Sequence, residues 1–322
     1  MTERRRLGRT PIEITPIGLG CWQFSSGFGL VGGFWEALAQ ETVNEIVRAG
    51  LAGGISWFDT AEAYGKGRSE RALAQALAAA GRADGDVVVA TKWWPVFRTA
   101  RSIGATIDDR LRCLGGFSID LHQVHQPFSF SSVKAEMEAM AELVAARKIR
   151  AVGVSNFSAA RMRRAHAALA RHGIPLASNQ VRYSLVDRGI ESNGVLATAQ
   201  ELGVTIIAYS PLGQGILSGR FHDDPALIRS RPGPRRYMSP CRASGLARRR
   251  PLVDGLRAIA AAREVTPSQV ALSWLLHFHG ETVVAIPGAS RPRHATEAAG
   301  AMGFRLSAEE MSRLDELSRP FL

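Results

Sequence analysis

Four polar residues stand at the ends of apolar runs. Asp59 closes Ile55-Ser56-Trp57-Phe58, with Tyr64 five residues later; Lys92 closes Val87-Val88-Val89-Ala90-Thr91, and His125 closes Leu121-His122-Gln123-Val124. A carboxylate, a phenol, an ammonium and an imidazole are groups with which proteins move protons and stabilise developing charge. The steps from Asp59 to Lys92 and from Lys92 to His125 each match one strand-helix-strand unit, roughly 30 residues. Adjacent parallel strands would bring them to one end of a sheet, where parallel α/β proteins carry their chemistry. A buried Lys or Asp without a counter-charge is costly, so the charges are expected to be partners.

Taken singly, each residue has a plainer account: a surface tyrosine, a structural ion pair, a satisfied core histidine. Their joint order at strand ends is what argues for catalysis. With period two, Asp59 shares a face with Ile55 and Trp57, Lys92 with Val88 and Ala90, and His125 with Leu121 and Gln123. Those strand-mates are expected to fill the interior beneath the polar groups. His122 falls on the opposite face from His125, so no two-histidine metal site is expected.

The elements that must position these groups follow from the alternation of apolar runs and helical patterns. Strands are predicted at about 17–21, 55–59, 87–92, 119–125, 149–155, 177–182, 204–208 and 282–286. Helices are predicted near 41–52, 69–80, 101–114, 131–146, 158–171, 190–202, 252–264, 267–278, 291–301 and 307–317. Ser69-Glu70 and Ser158 sit where N-caps are expected, and Pro267 suits a first turn after Thr266. Eight β-then-α units predict an α/β fold, a (β/α)8 TIM barrel, with a doubly wound open sheet as the alternative. The stretch 213–250 lacks periodicity, and a loop that long reads as a lid or binding loop.

The chain has 322 residues, 46% hydrophobic and 21% charged, which suits a globular protein with a large core. One domain over residues 1–322 is expected, because no Pro-, Gly- or Ser-rich linker divides it. Arg4, Arg5 and Arg6 are not followed by an apolar segment, so no signal peptide is read, and no apolar run approaches the ~20 residues that span a bilayer. A cytoplasmic location without membrane partners is expected. Cys21, Cys113 and Cys241 lack any CxxC pair, so neither a disulfide framework nor a zinc site is expected. The net charge of +11 comes almost wholly from Arg, with Lys at only four positions. Arg229, Arg231, Arg235, Arg236 and Arg248-Arg249-Arg250 cluster in one segment. Without a nucleic-acid motif, that segment suits a local anion such as a cofactor phosphate better than a duplex.

The residues around the four polar groups resemble the aldo-keto reductase superfamily. Asp59-Thr60-Ala61-Glu62-Ala63-Tyr64-Gly65 with Gly67-Arg68-Ser69-Glu70 is similar to its first signature. Ala90-Thr91-Lys92, Asp120 to Pro127, Gly153-Val154-Ser155-Asn156-Phe157, Tyr209-Ser210-Pro211-Leu212-Gly213 and Ile286-Pro287-Gly288-Ala289-Ser290 follow in family order, from Leu7-Gly8 to about Glu297. The resemblance implies a barrel, with an N-terminal β-hairpin and extra helices, that reduces a small-molecule aldehyde or ketone with NADPH. Tyr64 would be the general acid. A free phenol titrates near ~10, so Lys92 would assist it and Asp59 would hold Lys92 charged. His125 would hydrogen-bond the carbonyl oxygen.

For the cofactor, the resemblance assigns Ser155, Asn156 and Gln180 to the carboxamide and Tyr209 to stacking on the ring. Gly20, Cys21, Trp22, Ser210, Pro211, Leu212, Gly213, Gly215, Arg220 and Ile286 would line its path. Gly288, Ser290, Arg291, His294, Glu297 and Ala298 would surround the adenosine end. Many relatives carry Lys, Arg and Asn at the positions of Gly288, His294 and Ala298, so Arg291 is expected to bind the 2′-phosphate instead. NADPH is the expected cofactor, NADH the alternative. The substrate wall is expected from Trp22, Trp93, Trp94 and Phe128, with loop residues around Phe28 and Phe34. Small aldehydes, sugars or deoxysugars, and pyridoxal-like aldehydes are the candidate substrates, and oligomeric state is left open.

Gly27-Phe28-Gly29-Leu30-Val31-Gly32 satisfies GxGxxG, but the dinucleotide fingerprint requires a direct turn from strand into helix, and irregular sequence follows here. The main alternative function is a cofactor-binding regulatory subunit, since Leu212 to Arg220 resembles potassium-channel β subunits of the same superfamily.

Overall fold

The computed structural model describes residues 3–25, 27, 35–229 and 243–322, leaving the side chain of Arg229 aside. Phe28, Phe34, most of the GxGxxG stretch, Cys241, Arg231, Arg235 and Arg236 lie outside the described residues.

A short antiparallel hairpin, β1 (Arg5–Arg6) and β2 (Glu13–Ile14), precedes the sheet. Eight parallel strands follow: β3 (Leu19–Gly20), β4 (Trp57–Asp59), β5 (Val88–Trp93), β6 (Ile119–Val124), β7 (Ile149–Ser155), β8 (Leu176–Arg182), β9 (Thr205–Tyr209) and β10 (Val283–Ala285). Each pairs with its sequence neighbour. The first and last meet through parallel bridges Ile17–Ala285 and Gly20–Gly288, with Gly18 N donating to Ala285 O at 2.9 Å. The sheet is therefore closed, and the open-sheet alternative is set aside. Glycine is required along this seam. A Cβ on Gly18 would sit 2.2 Å from the Trp57 ring, which fills the barrel interior.

The barrel core contains Trp57, Ala90, Leu121, Ala151, Ala177, Ile207, Val284 and Ile286. Leu7, Ile12 and Ile14 of the hairpin segment join the same cluster and plug one end. Burying an aliphatic or aromatic side chain contributes about 1.5–3 kcal/mol, so the plug also stabilises the barrel.

The helices form the outer layer: α1 (Gln40–Ala52), α2 (Arg68–Ala79), α3 (Arg101–Cys113), α4 (Val133–Ala145), α5 (Ala159–Ala170), α6 (Val195–Leu202), the short α7 (Arg220–Asp223) and α8 (Ala226–Arg229), α9 (Ala243–Ala262), α10 (Pro267–His277), α11 (Pro292–Gly300) and α12 (Ala308–Ser318). Thr266 and Gln269 form a reciprocal capping box ahead of α10, and Ser158 caps α5.

Two local expectations change. Ser69-Glu70 is no cap: α2 begins behind Gly67, whose φ is +83°. Ser69 Oγ instead donates to Cys21 O (2.6 Å), and Glu70 accepts from Thr91 (2.6 Å) and Arg110 (2.5 Å) in the core. Second, the stretch 213–250 is not one structureless loop. It holds a 3-10 segment Gly213–Ser218, α7, α8 and the start of α9. Pro251 lies inside α9 behind three arginines, and that combination masks the helical pattern.

Candidate active site

Alternation along β4, β5 and β6 turns Asp59, Lys92, Gln123 and His125 to one end of the barrel. Lys92 is fully buried and forms an ion pair with Asp59 Oδ1, while its Nζ also donates to Thr60 O at 2.9 Å. The second oxygen of Asp59 accepts from Gln123 Nε2 (3.0 Å) and Gln180 Nε2 (2.9 Å). The carboxylate is thus held by one cation and two amides. Both charges being partnered is what permits them in the interior.

Tyr64 lies on the loop after β4, with Lys92 Nζ 5.1 Å from its ring centroid. Trp22 stacks on Tyr64 (5.9 Å between centroids, 18° between planes), and His125 meets it edge-on at 5.5 Å. Trp94 packs edge-on against His125 at 5.2 Å.

Burial sets the protonation states. Burial pulls Lys92 down, but Asp59 and then Tyr64 outweigh it, so the ammonium is held above its ordinary range. Burial pushes the Tyr64 phenol up, with Lys92 opposing. Burial, reinforced by Lys92, holds His125 well below the usual histidine value. At neutral pH the site therefore holds an ammonium, a protonated phenol and a neutral imidazole. His122 faces the opposite way, toward the charge of Arg110, and burial takes it down to about 3.

Asp59, Tyr64 and His125 line a cavity of about 1010 Å³. Asp59, Tyr64, His125, Trp22 and Trp94 line one end, as do Gly20 and Cys21. Ser155, Asn156, Gln180 and Tyr209 line the middle; Tyr209 Oη donates to Asn156 Oδ1 at 3.1 Å. Ser210, Pro211, Leu212, Gly215, Arg220, Ile286, Gly288, His294, Glu297 and Ala298 also lie on the wall. Asn156, Ser210 and Gln214 hold positive φ of 60°, 52° and 57°, conformations that cost energy and gather at functional sites.

Several expected wall residues lie elsewhere. Trp93 is buried among the helices, where Nε1 donates to Ser102 Oγ at 3.0 Å, because it follows Lys92 by one residue and so faces outward. Phe128 projects into solvent rather than onto the wall. Gly213, Ser290 and Arg291 are not on the wall either. Arg291 is the exposed residue before α11, and the helix turns Arg293 to the cavity in its place. Glu297 accepts from Thr266 Oγ1 at 2.6 Å and so also ties α11 to the start of α10.

Residues that sequence reasoning did not single out as site residues include Gln123, Gln23, Gln126 and Arg182. Period two makes Gln123 a filler of the interior, yet an amide facing into a barrel beneath a histidine needs a polar partner, and that need is a usable signal. Gln23 packs against Gly288: a Cβ there would meet its Nε2 at 2.2 Å, so Gln23 occupies the space a longer side chain would need. The capping and proline signals at Thr266 and Pro267 mark a helix start and not a site; with Ser268 they reach the wall through packing of α10.

The residues present fit a nicotinamide dinucleotide. The cavity is at the upper end of the size of small-molecule sites. One pole is aromatic with acid-base groups, and the other carries Arg220, Arg293 and His294. The buried Gln23 Oε1 between them has no hydrogen-bond partner among the described residues.

This barrel, with its acid-base cluster at one rim, is that of a family of oxidoreductases. Residues 16–319 match the sequence model of the Aldo/keto reductase family, and the chain belongs to that family. It is 38% identical over 310 residues to an uncharacterised oxidoreductase of Mycobacterium tuberculosis strain H37Rv, covering 96% of this chain and 91% of the relative. It is 30% identical over 318 residues to the chloroplastic pyridoxal reductase of Arabidopsis thaliana, covering 95% and 83%. Among solved structures, glycerol dehydrogenase from Gluconobacter oxydans superposes with a TM-score of 0.84 at 26% identity, covering 99% of this chain and 96% of that one. An aldo-keto reductase from Klebsiella pneumoniae in complex with NADPH superposes at 0.74 with 27% identity and the same coverages. No helix among the described residues is long and apolar enough to cross a membrane.

Proposed function

We propose that this aldo-keto reductase reduces a small aldehyde or ketone to an alcohol with NADPH, using Tyr64 as the proton donor. The observation that carries the reading is the meeting of Tyr64, Lys92, Asp59 and His125 at one end of the cavity. NADPH supplies the hydride when bound. Negative charge then develops on the carbonyl oxygen, and the protein must answer it. Tyr64 keeps its proton at neutral pH and gives it up only as that oxygen becomes basic. The Lys92 ammonium stabilises the phenolate left behind. Asp59 keeps Lys92 charged, and Gln123 and Gln180 orient Asp59. His125, neutral, offers a ring N–H to the same oxygen without competing for the proton.

Gln180 commits its Nε2 to Asp59, so its Oε1 is the atom left to accept from the carboxamide amine. Ser155 and Asn156 would complete that grip, and Tyr209 would lie against the ring. Arg220 and Arg293 would meet the phosphates, with Arg293 taking the role first expected of Arg291. The NADPH complex of a structural neighbour, the aldo-keto reductase from Klebsiella pneumoniae, supports this choice of cofactor.

The test is a cofactor-oxidation screen over aldehydes, ketoses and pyridoxal with NADPH and NADH; the relation to a pyridoxal reductase earns pyridoxal its place. Carbonyl-dependent oxidation of NADPH is expected. Tight NADPH binding with no oxidation across the panel would favour the regulatory-subunit reading.

A further inference from the structure

Three phenylalanines stand in water on the loops that follow β5 and β6. Phe97, Phe128 and Phe130 are 84%, 66% and 72% exposed, and the only other large exposed hydrophobic among the described residues is the terminal Leu322. At ~200 Å² per phenylalanine, the three leave roughly 400 Å² of ring in solvent, the size of patch that marks interaction sites on monomers. Phe97 and Phe130 lie against each other, 6.2 Å between centroids.

The patch is built rather than loose. Phe97 holds φ of +60°, a conformation a bulky side chain adopts only at a cost and that gathers at ligand clamps. Phe130 N donates to Arg98 O at 2.8 Å, and Ala100 N donates to Ser131 Oγ at 2.9 Å, so the loops after β5 and β6 are tied together. Arg98 pairs with Glu62 at 2.7 Å, and Glu62 accepts from Trp94 N at 3.0 Å. These ties fix the patch to the loop that carries Tyr64.

The same two loops supply Trp94, His125 and Gln126 to the cavity wall. Phe97 is three residues from Trp94 and Phe128 two from Gln126. At no more than ~3.6 Å of chain per residue, the rings are anchored within about 11 Å and 7 Å of the wall.

We propose that Phe97, Phe128 and Phe130 bind the apolar tail of the substrate, so that the preferred carbonyl compounds are long unbranched aldehydes whose head enters the cavity. The inference rests on the carbonyl-reduction reading above. Continuity of the patch with the wall through two shared loops selects this occupant over a second protein surface. The head group meets Tyr64 and His125, and the tail leaves past Trp94 across the three rings.

The experiment is a kinetic series with propanal, hexanal, octanal, decanal and dodecanal, with NADPH, on the wild type and on the triple variant Phe97→Ser, Phe128→Ser, Phe130→Ser. Once the chain outgrows the cavity, each added methylene that reaches the rings should lower KM two- to fourfold with kcat nearly constant. In the variant that gain should flatten, and the decanal-to-propanal ratio of kcat/KM should fall at least tenfold. Binding of decanol to the NADP+ complex, read by calorimetry, should weaken in parallel, which separates lost tail contact from lost catalysis. Chain-length profiles that coincide in the two proteins while propanal is turned over would overturn the tail site alone. A wild type that sediments as a dimer and a variant that sediments as a monomer, with coincident profiles, would assign the patch to self-association and overturn it as well. NADPH oxidation with none of the aldehydes or ketoses would remove the carbonyl-reduction reading, and the tail site with it.

Discussion

Replacing Asp59 by Asn removes one charge from the most buried part of the site and leaves its shape intact. In the wild type one carboxylate oxygen faces the Lys92 ammonium and the other accepts from Gln123 and Gln180. Asn offers a single acceptor, which must face Lys92 because an ammonium cannot reverse its polarity; the glutamine amides can flip to accept. Lys92 remains fully buried with Thr60 O and an amide oxygen but no counter-charge. Removing one partner of a buried pair costs about 3–5 kcal/mol, and the retained acceptor puts this variant near ~3 kcal/mol. In urea that is a midpoint loss of roughly 1 M.

The pH dependence distinguishes loss of charge from loss of packing. In the wild type the folded value of Lys92 lies above its unfolded one, so the pairing stabilises fully below ~10.4 and is lost as pH rises through the folded value. In the variant burial acts without the carboxylate, and the folded value falls below ~10.4. Between the two, each pH unit upward should then recover about 1.4 kcal/mol. Urea unfolding of both proteins at pH 7 and pH 10 measures this: the deficit should shrink by more than half at the higher pH. A midpoint loss under roughly 0.3 M at pH 7, or a deficit equal at both pH values, would refute the electrostatic account. The same variant should lose about 10²–10⁴ in kcat, the range typical of an acid-base group.

Tyr64→Phe should lower kcat by about 10²–10⁴ while NADPH affinity, read by fluorescence titration, changes less than threefold; near-wild-type turnover would mean another proton donor. Arg293→Ala should weaken NADPH at least tenfold more than NADH, whereas Arg291→Ala should leave both within threefold, and the reverse order would restore Arg291 to the phosphate. Because His125 is held well below the usual value, kcat/KM should show no ionisation between pH 6 and 8 that His125→Asn abolishes. Arg188 is buried against Glu191 (2.6 Å) and Asp315 (2.7 Å) and lies 5.0 Å from the Trp274 ring, so Arg188→Ala should cost about 3–5 kcal/mol in urea unfolding. A loss under ~1 kcal/mol would show that the C-terminal helix docks without it.

The alternation of apolar runs with helical patterns determined the eight strands, because a strand buried on both faces must be apolar throughout and its helix must show one apolar stripe. Period two likewise determined that Asp59, Lys92 and His125 share an end, and that His122 does not. Applied one residue further, the same rule would have turned Trp93 away from the cavity. Closure needed three dimensions, because the seam depends on Gly18 and Gly20 yielding space to the Trp57 ring and the Ile286 backbone. So did the placing of Arg293, rather than Arg291, on the cavity wall: the phase of a helix at its first turn follows from where Pro292 starts it, and two neighbouring arginines look alike in sequence. Gln23, Arg182 and the start of α10 reach the cavity by packing between segments far apart in the chain, and no local pattern encodes such contacts.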